Sequence, residues 1–100
     1  MILYRTIYHA KMGKVDELVA LIKEFIASSD GDLVRAVQPR ILTDISGPFF
    51  TAVIETTHES FAAIEHFRKT IFTQPEYYEL NARVVELIDS GENEYYTIEQ

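Results

Sequence analysis

Apolar residues along this chain switch between the two-residue spacing of strands and the 3.6-residue spacing of helices. The order of those switches leaves few folds open. Ile2–His9 is rich in β-branched and aromatic residues and reads as a strand. Lys11-Met12-Gly13-Lys14 breaks it, and Val15, Leu18, Val19, Ile22, Phe25 and Ile26 then form one helical stripe running to about Ser28. Two strand-like runs follow, Leu33–Thr43 and Phe49–Thr57. Helical spacing returns, and Tyr95–Glu99 closes the chain as a last strand. The order is β-α-β-β-α-β, with an extra helix before the final strand. This is the split βαβ, ferredoxin-like plan.

Local chemistry punctuates these elements. Asp16 and Glu17 favour the first turn of a helix through its dipole. Asp30-Gly31-Asp32 reads as a stop. Thr57 is a candidate N-cap for a helix over His58–Phe72, with Phe61, Ile64, Phe67 or Arg68, and Ile71 on its stripe. Gln74-Pro75 interrupts that helix and opens another, with Tyr77, Leu80, Asn81, Val84, Leu87 and Ile88 inward and Gly91 at its end.

The α+β plan β-α-β-β-α-α-β predicts a four-stranded antiparallel sheet in order 4-1-3-2, with helices on one face. Pro39 agrees, because a proline cannot donate within a ladder and belongs on an edge strand. Neither face of Ile2–His9 is plainly polar, which suits a central strand. Phe50, Ala52 and Ile54 suit the helix side. Phe49, Thr51, Val53 and Glu55 face solvent, a cavity or a partner.

One hundred residues suffice for a single domain over residues 1–100 with a modest core. The formal charge of −7 opposes nucleic acid and anionic membrane surfaces. The absence of cysteine removes thiolate chemistry and disulfides. There is no membrane-length apolar run and no signal pattern, so the expected location is cytoplasmic.

Candidate chemistry centres on Tyr4, Arg5, Tyr8 and His9 of the first strand. Tyr and His could bind a polar group or move a proton there. Equally, the tyrosines could be interface aromatics and Arg5 could pair with an acid such as Glu55. An arginine on a central strand must be paired or reach a wet cavity. In an enzyme, His9 or His58 is the base and Arg5 or Arg40 holds an anionic oxygen. Tyr4, Tyr8 and Tyr96 orient the substrate, beside Glu55. His58 and His66, eight apart, have no recognised ligand spacing, and a solvated helix face accounts for them better than a metal. No metal and no cofactor is expected. Phe61, Ile64, Phe67, Ile71, Tyr77 and Tyr78 read as core or pocket wall.

Tyr8 followed by Lys11-Met12-Gly13-Lys14 and an amphipathic helix resembles the NIPSNAP-like branch of the dimeric α+β barrel superfamily. Met12 stands where that family usually has proline, and Thr6 where it tends to have arginine. The Gln74-Pro75-Glu76-Tyr77 break and the Glu94–Ile98 ending are similar in layout, so the likeness spans nearly the whole chain. It implies a homodimer joined through the open sheet face into a barrel. It also implies a cavity and activities that include cofactor-independent monooxygenases, haem-degrading enzymes and isomerases. The chain has no Trp, the most characteristic member of the haem-degrading constellation.

Two functions compete. One is binding or metal-free transformation of a small, largely apolar or aromatic molecule. The other is a non-enzymatic dimeric assembly or partner-binding module. An RNA-binding version of the fold needs a basic sheet face, and an acylphosphatase version needs a longer loop after the first strand.

Overall fold

The computed structural model describes residues 1–28 and 32–100. β1 (Ile2–Ala10) leads through a turn closed by Lys14 N–H to Lys11 O, 2.9 Å, into α1 (Val15–Ala27). Gly13 takes φ +77° there, a left-handed value that costs other residues a Cβ clash. A single turn of helix, α2 (Asp32–Arg35), precedes β2 (Arg40–Thr43), β3 (Thr51–His58), α3 (Phe61–Phe72), α4 (Pro75–Leu87) and β4 (Ile88–Thr97).

All strand pairs are antiparallel and the order is β2-β3-β1-β4, the predicted 4-1-3-2 read from the other edge. Pairing of Tyr8 with Ala52 and Gly91 sets one face, and pairing of Arg5 with Glu55 and Glu94 sets the other. The first face carries the helices. Ala10 and Ala52 pack there against Leu18, Leu21 and Ile22 of α1 and Val84 and Leu87 of α4. The second face is open, yet Ile7 and Val53 at its centre are only 8% and 7% exposed, because strands flank them on both sides.

The fold corrects one expectation outright. The sheet is open, not a barrel: β2 and β4 are its two edges, and four strands fall short of the roughly eight that close a small barrel. The dimeric α+β barrel is therefore not the fold class of this chain. The ferredoxin-like βαβ topology and the strand order stand.

Boundaries shift for local reasons. The predicted strand Leu33–Thr43 shrinks to Arg40–Thr43. Leu33 and Val34 lie in α2, where Val34 buries its side chain. Arg35 pairs with Asp32 and donates to the carbonyls of Ile26 and Ser28, the latter at 2.7 Å, satisfying the end of α1. Pro39 thus sits immediately before an edge strand instead of inside one. The Asp30-Gly31 part of the predicted stop lies outside the described residues. β3 begins at Thr51, not Phe49, since Phe50 turns through φ +58°. It runs on through His58, so Thr57 is no N-cap; Ser60 caps α3 by accepting from Ala63 N–H at 3.1 Å. The last strand starts at Ile88, and Gly91 lies inside it rather than ending a helix. Among the described residues, no helix is long and apolar enough to cross a membrane.

Candidate functional site

Alternation along β1 sends Tyr4, Thr6 and Tyr8 toward the helices. With Ile54 and Thr56 of β3 they floor a cavity of about 110 Å³. Ile22 and Phe25 of α1, Phe67 and Ile71 of α3, and Tyr77, Leu80 and Val84 of α4 form its walls. The lining is mostly apolar, with phenol and hydroxyl groups as its polar part. A dry cavity of about 150 Å³ holds benzene; at about 110 Å³ this one is smaller, on the scale of a short branched chain or part of a single ring.

Burial governs the chemistry of the phenols. It raises Tyr8 to about 12, and nearby Tyr77 and Tyr4 push in the same direction. Burial likewise raises Tyr4 and Tyr77, offset in both by the positive charge of Arg68. At neutral pH these are protonated phenols, which donate hydrogen bonds and do not act as bases.

His58 ends β3 beside this cavity. Its ring is 5.1 Å from that of Phe67 and 6.1 Å from that of Tyr4, and Nε2 is 2.8 Å from Thr56 Oγ1. It is 4% exposed, and burial lowers its pKa, so the imidazole is neutral at pH 7.

The other candidates occupy the opposite face. Glu55 is 6% exposed and takes Arg5 and Arg40 as partners. Arg5 Nε lies 3.0 Å from Glu55 Oε2, an ion pair whose N–H is not aimed well enough to count as a hydrogen bond. Arg5 Nη1 donates to Glu94 Oε1 at 3.2 Å, and its guanidinium stands 6.0 Å from the Tyr96 ring. A row of alternating charge, Arg40, Glu55, Arg5, Glu94, thus crosses all four strands. His9 Nε2 is 3.1 Å from Glu92 Oε1 farther along this face.

The predicted constellation is therefore divided by the sheet. Tyr4 and Tyr8 line the cavity, and His58 packs against Thr56, Tyr4 and Phe67 outside its lining; Arg5, His9, Arg40, Glu55 and Tyr96 gather on the open face. Of the predicted wall, Phe67, Ile71 and Tyr77 line the cavity and Ile64 is buried, whereas Phe61 and Tyr78 are exposed. His58 belongs to a strand rather than to the helix face shared with His66. Among the described residues, no three His, Cys, Asp or Glu side chains cluster as a metal site requires.

The sequence offers Arg68 only as an alternative to Phe67 on the stripe of α3, with no functional role. It sits on the inner stripe of α3, seven residues after Phe61 and four after Ile64. A cation at a stripe position is the signal that singles it out.

No family profile matches this chain, and no curated protein does. Solved structures do match. An uncharacterized NIPSNAP domain protein from Burkholderia xenovorans superposes with a TM-score of 0.84 at 17% identity, over 98% of this chain and 94% of that one. A NIPSNAP family protein from Agrobacterium tumefaciens gives 0.79 at 19% identity, over 96% and 90%. A Nitrosomonas europaea protein proposed to be an antibiotic biosynthesis monooxygenase gives 0.72 at 10% identity, over all of both chains. The chain thus has a NIPSNAP-like fold, and identities this low carry the likeness no further than fold. Of the resemblance read from Tyr8 and Lys11–Lys14, the NIPSNAP-like layout stands and the barrel is corrected by the open sheet.

Proposed function

We propose that the chain binds a small, largely apolar molecule between the helix face of its sheet and α1, α3 and α4. The observation that carries this is the apolar cavity whose polar atoms come chiefly from three neutral phenols, Tyr4, Tyr8 and Tyr77. A few convergent polar groups in an apolar concavity are the usual make-up of a small-molecule site. Tyr4 and Tyr8 orient the molecule by donating hydrogen bonds, and neutral His58 next to Thr56 is the group able to take up a proton. Transformation of the bound molecule is the enzymatic form of this reading. It would be of the monooxygenase kind proposed for the Nitrosomonas europaea protein, or a proton transfer of the isomerase kind. Titrating labelled protein with phenol and toluene tests it. NMR shifts concentrated on Tyr4, Ile22, Ile71 and Val84 are expected; shifts confined to the open face, or none at millimolar probe, would sink it.

The open face favours a second role. Its charges are largely paired within the chain, while Ile7, Val53, Leu42 and Tyr96 lie among them. A second copy of the chain, laid against this face, is the partner this pattern suits. Arg5, Arg40, Glu55, Tyr96 and His9 then serve assembly rather than substrate.

A further inference from the structure

The cavity has a polar neighbour. An outer recess of about 220 Å³ is lined by Tyr4, Thr6, Tyr8 and Tyr77, which also line the cavity, and by Arg68 and Asn93. The same tyrosines therefore have the apolar space on one side and an arginine on the other.

Arg68 is unusual among the cations of this acidic chain. Arg5, Lys14, Arg35 and Arg40 each pair with a carboxylate. Lys11, Lys23, Lys69 and Arg83 have no such partner among the described residues, and water covers them because they are exposed. Arg68 alone is half-buried with no carboxylate in ion-pair reach among the described residues. Its guanidinium lies 6.0 Å from the Tyr4 ring centroid and 5.2 Å from that of Phe72, and Nη1 donates to Tyr95 Oη at 3.1 Å. The rings hold the cation in place, and one hydrogen bond uses little of a fork with five donors. Its charge reaches the site, because it counteracts the rise in the pKa of both Tyr4 and Tyr77. Glu92 also borders the recess, but its carboxylate lies on the opposite face of the sheet beside His9.

We propose that the ligand of this site is a small apolar monoanion, a single-ring or branched-chain carboxylate. Its carboxylate takes the free donors of Arg68 in the recess, and its apolar body passes the tyrosines into the cavity. The proposal rests on the cavity being a ligand site, and it adds the charge and class of the ligand. Guanidinium and carboxylate match as planar forks, and such charge-assisted bonds are roughly twice as strong as neutral ones. Protonated phenols at the junction repel no anion, and each can donate to it.

Calorimetric titration with benzoate and with benzamide, its neutral counterpart, tests this at pH 7. Benzoate is expected to bind about tenfold more tightly than benzamide. In Arg68→Gln that preference should vanish while benzamide binding holds, which also shows that the variant is folded. Equal affinity of the unaltered protein for both probes, or a preference that survives Arg68→Gln, overturns the anionic ligand and leaves the apolar site intact. Binding of neither probe overturns both.

Discussion

Glu55 is the residue on which the open face turns. It is a nearly buried carboxylate between two guanidinium groups, so removing its charge leaves Arg5 facing an amide. Breaking a buried ion pair from one side costs several kcal/mol, and Arg5 is only partly buried. Glu55→Gln should therefore lower unfolding stability by about 2 kcal/mol in urea titration. Arg40→Ala should lose no more than about 0.5 kcal/mol, because the Arg40 side chain is 68% exposed and water screens the pair. His58 sets a pH dependence of the same sign as a paired carboxylate, with burial rather than a charged partner as its cause. Burial lowers its folded pKa below the unfolded value of 6.5, so the unfolded chain binds the proton more readily. Its contribution is complete above pH 6.5 and declines as pH falls through and below that value. Melting temperatures taken from pH 8 to pH 5 should fall more steeply for the unaltered protein than for His58→Asn; parallel curves would contradict the assignment.

Among the elements, α3 offers the cleanest test. Ser60 supplies its side-chain cap, and Ser60→Ala should cost about 1 kcal/mol by the same urea measurement. Thr57→Val should show no cap loss, since Thr57 is in β3. Elements with a clean period or a steric breaker were legible beforehand. Gly13 marked a turn that needs positive φ, the stripe from Val15 to Ile26 marked α1, and Pro39 marked β2 as an edge. Those without one were not. Leu33 to Val37 are apolar apart from Arg35, as a buried strand would be, but burial of Val34 and the Asp32–Arg35 pair favour a helical turn. Ile88–Glu94 is polar and poor in β-formers, yet it pairs with β1 along its length. The cavity was legible as aromatic residues at helical and strand spacing. Alternation already set Tyr4 and Tyr8 opposite Arg5 and His9; which of the two sets meets the helices was not legible, because a one-residue change of register moves every side chain of a strand to the other face.

For the whole molecule, assembly is the property most open to measurement. If a second copy covers the open face, sedimentation at micromolar concentration should give a dimer. Leu42→Asp should dissociate it with little loss of stability, since the Leu42 side chain is partly exposed in the single chain. A monomer at every concentration would leave this face to another partner. Read from β2 to β4, Arg40, Glu55, Arg5 and Glu94 run plus, minus, plus, minus. A half-turn about an axis parallel to the strands lays the row over itself reversed, and every charge meets its opposite. A half-turn about an axis along the row keeps the order and sets like over like. An odd number of alternating charges would be a palindrome and repel both ways. The evenness of the row thus makes the face its own complement in one orientation and its own obstacle in the other.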